Sequence, residues 1–246
     1  MATHKHSVCV AFISPGEVRH EFASSLVSTM RYYSEKSRKV IRAQIDIQSG
    51  PRVAEARSQV VDSFAKTNCD WLWMVDADMS WQENALDLLL ETADPVDAPI
   101  MGGLCFGGRS DHAMFPTIYK LIEEEGMIGT EVVHDYPKDQ VVRVGATGAA
   151  FMLVHKSVFV KMKHAFGKLP NGRENPYPWF VEAANGGRPF GEDIAFCIKA
   201  HALDLPIYVD TRVKIGHIKP RELTEERYLE ERKRASKVEA QPLTLP

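Results

Sequence analysis

Residues 70–81 read Asp-Trp-Leu-Trp-Met-Val-Asp-Ala-Asp-Met-Ser-Trp, and the architecture follows from how this stretch is read. Trp71 to Val75 form an apolar run bounded by polar positions, the pattern of a strand buried on both faces of a parallel sheet. Asp76 and Asp78 stand where that strand should end. Side chains two apart on a strand point the same way, so the two carboxylates are expected to aim at one spot. There they repel each other unless a cation lies between them. Oxygen ligands of this kind favour a hard divalent ion such as Mg2+ or Mn2+. Asp-Ala-Asp also suits a turn or a helix cap, so the tripeptide needs support from elsewhere in the chain.

Working outward, Val8–Ile13 is a short apolar run closed by Ser14-Pro15-Gly16, a first strand and its turn. Residues 22–33 carry apolar side chains at helical spacing (Phe22, Leu26, Val27, Met30). Val40–Ile47 predicts a second strand, and residues 53–67 a helix with Val53, Ala56, Val60, Val61 and Phe64 on one side. After the Asp-x-Asp strand come a helix over residues 82–92 and a strand at Ile100–Leu104, which leads into Phe106-Gly107-Gly108-Arg109. Strands alternating with helices over a hundred residues predict an α/β fold with a doubly wound, Rossmann-like sheet. Ligands bind such sheets at the carboxyl ends of the strands, where Asp76 and Asp78 fall.

The second half is less regular. Pro116–Ile122 and Glu131–Val144 alternate in character and are expected to add antiparallel strands. Ala150–Val154 is apolar and Ser157–Phe166 helical. Residues 168–191 are rich in glycine and proline and hold Tyr177, Trp179 and Phe180, which reads as a long loop with exposed aromatics of the kind that form lids and binding loops. From about Arg221 the chain is densely charged and reads as a solvated helix with i to i+4 pairs.

Three further segments carry chemistry. Gly145-Ala146-Thr147-Gly148-Ala149-Ala150 lets backbone and ligand approach closely, although a tight strand-entry turn would look the same. Phe190-Gly191-Glu192-Asp193 puts paired acids at a helix start, either to match the helix dipole or to hold a carboxylate where a substrate hydroxyl could be deprotonated. After an expected strand at Pro206–Asp210 comes Val213-Lys214-Ile215-Gly216-His217-Ile218-Lys219. His217 could complete a metal site begun by two carboxylates, and Lys219 is a ready phosphate contact.

At 246 residues, 44% hydrophobic and 26% charged, the chain fits one globular domain with appendages. A net charge of −3 gives no global signature of nucleic-acid binding. Cys9, Cys69, Cys105 and Cys197 are scattered without zinc-ligand spacing and read as reduced core residues of a cytoplasmic protein. The polar start, residues 1–7, has neither a signal-peptide pattern nor a membrane span.

An Asp-x-Asp, a glycine-rich loop, a Glu-Asp pair at a helix start and a C-terminal histidine occur in that order. In this the chain resembles the GT-A class of nucleotide-sugar glycosyltransferases over roughly residues 7–220, and in particular the small family-2-like enzymes of bacterial and phage genomes. The resemblance implies a GT-A, mainly parallel sheet in one domain over residues 1–220. Its nucleotide-binding half spans about 1–110 and its acceptor-side half 111–220, with 221–246 as a helical tail. It implies Mn2+ or Mg2+ held by Asp76, Asp78 and His217, with Asp76 also placed to meet the ribose. Ser14 and Glu17 would meet base and ribose, Arg57 the nucleotide, and Lys219 the diphosphate. Gly148 would line the donor sugar, and Asp193, with Glu192 beside it, would face the acceptor hydroxyl. The implied donor is a UDP-sugar. The acceptor is a glycan or a protein, with modified DNA kept open by the basic cluster Arg232-Lys233-Arg234. Two alternatives remain. A sugar nucleotidyltransferase shares sheet and metal, but Ser14-Pro15-Gly16-Glu17-Val18-Arg19 lacks its glycine- and base-rich phosphate loop. A non-catalytic nucleotide-sugar-binding module would not need Asp76, Asp78, Asp193 and His217 intact.

Overall fold

The computed structural model describes residues 6–36, 39–50, 52–108, 114–124, 127–185, 188–219, 225 and 229. The first half alternates as expected: β1 (Val8–Ser14), α1 (His20–Glu35), β2 (Ile41–Gln48), α2 (Val53–Phe64), β3 (Trp71–Asp76), a two-residue β4 (Met79–Ser80), α3 (Ala85–Thr92) and β5 (Ile100–Leu104). Short pieces follow: β6 (Phe106–Gly107), β7 (Phe115–Pro116), the hairpin β8 (Ile118–Glu124) and β9 (Met127–Val132), then β10 (Val141–Val144) and β11 (Ala146–Thr147). The chain closes with β12 (Phe151–His155), α4 (Lys156–Phe166), the hairpin β13 (Ala183–Asn185) and β14 (Arg188–Phe190), α5 (Glu192–His201), β15 (Ile207–Lys214) and β16 (Gly216–His217).

Seven strands form the central sheet in the order β10-β15-β5-β12-β3-β1-β2. β1 pairs in parallel with β2 and β3, and β15 with β5. β12 lies antiparallel between β3 and β5, and β10 antiparallel on β15. Burial explains the order. β1 and β3 are apolar on both faces and sit inside, whereas β2 alternates half-buried Ile41, Ala43, Ile45 and Ile47 with exposed polar residues and takes an edge.

The strand period divides the core between two layers. Trp71, Trp73 and Val75 pack toward α1 and α3 with Phe22, Tyr33, Leu86 and Leu89. Leu72 and Met74 point the other way, into a layer built with Val60, Phe64, Val158, Met162 and Phe196 of α2, α4 and α5. Burial of each of these large side chains stabilises the fold by about 1.5–3 kcal/mol. Asp76 shares the parity of Leu72 and Met74 and therefore faces the side occupied by α2 and α5.

Several expectations change. Residues 131–144 are not one strand: Pro137 and Asp139, the latter at φ 53°, break the chain between β9 and β10. The loop after α4 leaves Tyr177 half-buried and does not expose Trp179 or Phe180. Trp179 is 4% and Phe180 0% exposed, because Phe180 stacks on Phe196 and the Trp179 indole donates to the Phe159 carbonyl at 2.9 Å. The charged tail lies outside the described residues except for Glu225 and Leu229, and Arg109 and the 232–234 cluster lie outside them altogether. Among the described residues, no helix is long and apolar enough to cross a membrane.

Candidate active site

β3 ends at Asp76, and Ala77 and Asp78 turn out of the sheet before β4. The alternation that would aim both carboxylates at one point therefore stops one residue too early, and the two acids meet different partners. Asp76 accepts from Nη2 of Arg57 on both oxygens at 3.0 Å. The same guanidinium donates through Nε to Glu192 at 3.1 Å and through Nη1 to the Ala149 carbonyl at 2.8 Å. Arg57 is 5% exposed. Burial disfavours its charge, but Asp76, Glu192 and Asp193 outweigh that and raise its pKa. Arg57, read from sequence as a nucleotide contact, thus stands as a buried clamp joining β3, α5 and the turn before β12.

Asp78 turns toward the C-terminal segment. β16 pairs antiparallel with β4, setting His217 opposite Met79, and the Ile218 amide donates to the Asp78 carbonyl at 2.8 Å. Gly216 allows this approach, since a Cβ there would strike the Ser80 hydroxyl. Oδ2 of Asp78 lies 3.2 Å from Nε2 of His217 and 3.1 Å from Nζ of Lys219. Burial works to raise the Asp78 pKa, but hydrogen bonds from His217 and Lys219 prevail and hold it below the ordinary value. For His217, burial is outweighed by Asp78 and the Phe106 carbonyl, and its pKa is raised.

Nδ1 of His217 lies 2.9 Å from the Phe106 carbonyl, to which it can only donate. Nε2 must then meet the carboxylate through a proton or a metal. Among the described residues, no three His, Cys, Asp or Glu side chains converge as a metal-binding set. Of the expected trio, Asp78 and His217 stand together, while Asp76 is engaged by Arg57. Cys105 lies near both acids; burial first, then their charge, drives its thiol pKa far upward, so it remains an unreactive core group.

Asp193, the acid expected to face the acceptor, occupies the start of α5. Oδ1 of Asp193 accepts from the Ile194 amide at 2.7 Å. Burial and the neighbouring Glu192 raise its pKa against the pull of Ile194 and Arg57. Gly148 faces it: a Cβ there would lie 3.7 Å from Oδ2 of Asp193 and 3.6 Å from Thr117. Tyr119 is close as well, its phenol pushed up to about 12 by burial and by the Asp193 charge.

A cleft of about 360 Å³ opens at the carboxyl ends of β1, β2 and β3, within the usual range for small-molecule sites. Glu17, Arg19, Ser49, Val53, Asp76 and Asp78 are among the residues that line it. Gly16 makes the turn into it at φ +107°, and a side chain there would press on Gln48. Ser14 is only 7% exposed and its hydroxyl accepts from the Gly16 amide at 3.4 Å, so it shapes this turn from behind while Glu17 reaches the cleft. Lys219 reaches the site through Asp78. Sequence reasoning missed the Phe106 carbonyl, Thr117, Tyr119 and Arg19. The first is a backbone atom that no side-chain pattern reveals, and the others come from unremarkable strand and loop positions.

No protein-family model and no curated protein matches the chain. Solved structures do. A197 from STIV aligns with a TM-score of 0.51 at 13% identity, over 87% of this chain and 86% of that one. GalNAc-T7, solved with UDP, GalNAc and Mn2+, aligns with a TM-score of 0.53 at 13% identity, over 88% of this chain. The alignment spans 44% of the GalNAc-T7 chain. The architecture is the GT-A glycosyltransferase fold. At such identities the likeness concerns fold alone.

Proposed function

We propose that the protein is a metal-dependent glycosyltransferase that moves a sugar from a nucleoside diphosphate donor, a UDP-sugar, to an acceptor hydroxyl. The observation that carries this reading is that Asp78, which lines the 360 Å³ cleft, confronts His217. Asp78 and His217 would hold Mn2+ or Mg2+, and such an ion neutralises the charge that builds on a diphosphate leaving group.

The chain's own residues do the rest. Glu17 and Arg19 line the part of the cleft suited to base and ribose. Lys219 adds a positive charge beside Asp78, where developing phosphate charge is stabilised. Gly148 leaves room against Asp193, so a sugar hydroxyl can approach that carboxylate. Asp193 accepts or orients the acceptor proton, and its raised pKa gives it a stronger pull on that proton than an ordinary aspartate has. Arg57 holds Asp76 and Glu192 in place through its guanidinium. The acidic balance of the chain favours a glycan or protein acceptor over modified DNA. Four buried free thiols fit a reducing compartment, which we take to be the cytoplasm.

The test is to incubate the protein with UDP-sugars and Mn2+ and to measure released UDP. Release that disappears in Asp78→Ala supports the proposal. Pyrophosphate release from a nucleoside triphosphate would establish a nucleotidyltransferase instead, and metal-independent UDP binding without turnover a binding module.

A further inference from the structure

A second cavity, of about 370 Å³, lies where β8, β10 and the start of β15 meet the C-terminal end of α5. Lys120, Arg143 and His201 stand on its wall, and Leu121, Val144 and Leu205 form its apolar lining. Val144 pairs with Ile207 at the beginning of β15, so the cavity belongs to the end of the sheet away from Asp76. α5 runs between it and Asp193, a separation of about 12 Å at 1.5 Å per residue.

Lys120 on β8 and Arg143 on β10 bring two positive charges to it, and His201 at the end of α5 adds an imidazole. Among the described residues, no side-chain hydrogen bond or ion pair engages Lys120, Arg143 or His201. Glu131 stands opposite Lys120 in the β8–β9 register without forming an ion pair with it. Two like charges lining one cavity repel each other, and a bound anion relieves that repulsion. The arginine fork and the lysine point charge suit phosphate oxygens, and the apolar lining suits the body that carries them.

We propose that this cavity binds a small phosphomonoester of the sugar-phosphate type, independently of the cleft at Asp78. Titration of the intact protein with glucose 6-phosphate in EDTA, followed by isothermal calorimetry, tests it. Saturable binding is expected for the unaltered protein and equally for Asp78→Ala. On the order of tenfold weaker binding is expected for Lys120→Gln/Arg143→Gln, since each change removes a charge-assisted contact. Both side chains are exposed, and an unchanged thermal midpoint of the double variant would verify its fold. Unsaturable binding, equal binding by the double variant, loss of binding in Asp78→Ala, or equal binding of unphosphorylated glucose would each overturn the assignment.

Discussion

Nε2 of His217 lies 3.2 Å from Oδ2 of Asp78 across 139 residues of chain, and the other ring nitrogen is taken by the Phe106 carbonyl. The backbone thus selects which nitrogen faces the carboxylate, and the two side chains work as a pair. Asp78→Ala and His217→Ala should each weaken Mn2+-dependent UDP binding by about 10–100-fold. Combining them should add little, because removal of either partner already dismantles the pair. Calorimetric titration with UDP at fixed Mn2+ measures this. Unchanged metal dependence in His217→Ala would remove the histidine from the site.

On the proposed function, Asp193 should separate binding from chemistry. Asp193→Asn should bind UDP with Mn2+ as the unaltered protein does, yet lose at least two orders of magnitude in transfer. Transfer by the unaltered protein should rise with pH through a midpoint above the ordinary aspartate value, because burial and Glu192 raise the Asp193 pKa. For stability the sign is the reverse. A carboxyl with a raised folded pKa favours folding when protonated, and that contribution is lost as pH rises through the folded pKa. Asp193→Asn should therefore be no less stable than the parent at neutral pH, as a urea titration can show.

Removal of Arg57 should be costly whatever the substrate. Arg57→Met leaves Asp76 and Glu192 facing each other without their shared cation, with an expected loss of about 3–5 kcal/mol. Arg57→Lys should recover little, because one ammonium cannot reproduce the fork that meets Asp76, Glu192 and the Ala149 carbonyl together. A loss below about 1 kcal/mol in chemical denaturation would mean that the clamp is dispensable.

Two glycines three residues apart should behave oppositely. At Gly145 an added Cβ would collide with the Leu121 backbone amide, so Gly145→Ala should destabilise the protein. At Gly148 the added methyl meets Asp193 and Thr117 at ordinary contact distance. Gly148→Ala should therefore fold normally and raise KM for donor or acceptor by filling space beside the carboxylate. Thermal midpoints and steady-state kinetics of the two variants distinguish these outcomes.

The framework was readable wherever burial imprints a period. Trp71–Val75 announces a strand buried on both faces, and α2 shows its stripe of Ala56, Val60 and Phe64. Strand direction was not readable for β12, because the apolar run Phe151–Val154 looks the same whether it runs with its neighbours or against them. Composition also misled at Trp179 and Phe180. Glycine and proline around them suggest a surface loop, but their partners Phe159 and Phe196 lie 16 or more residues away and leave no local trace. At the site, the order of the motifs revealed which residues to examine. It did not reveal that Asp76 and Asp78 part company, since that depends on the strand ending at Asp76, and turn onset is weakly encoded in Asp-Ala-Asp.

The position of β12 also bears on the nascent chain. β3 and β5 leave the ribosome well before Phe151–His155 is made, and until then each presents an unpaired apolar edge toward the gap that β12 will fill. A translation product stopped anywhere before His155 would therefore be no miniature nucleotide binder. It would be a sheet with its central plank missing, with every reason to pair with another copy of itself.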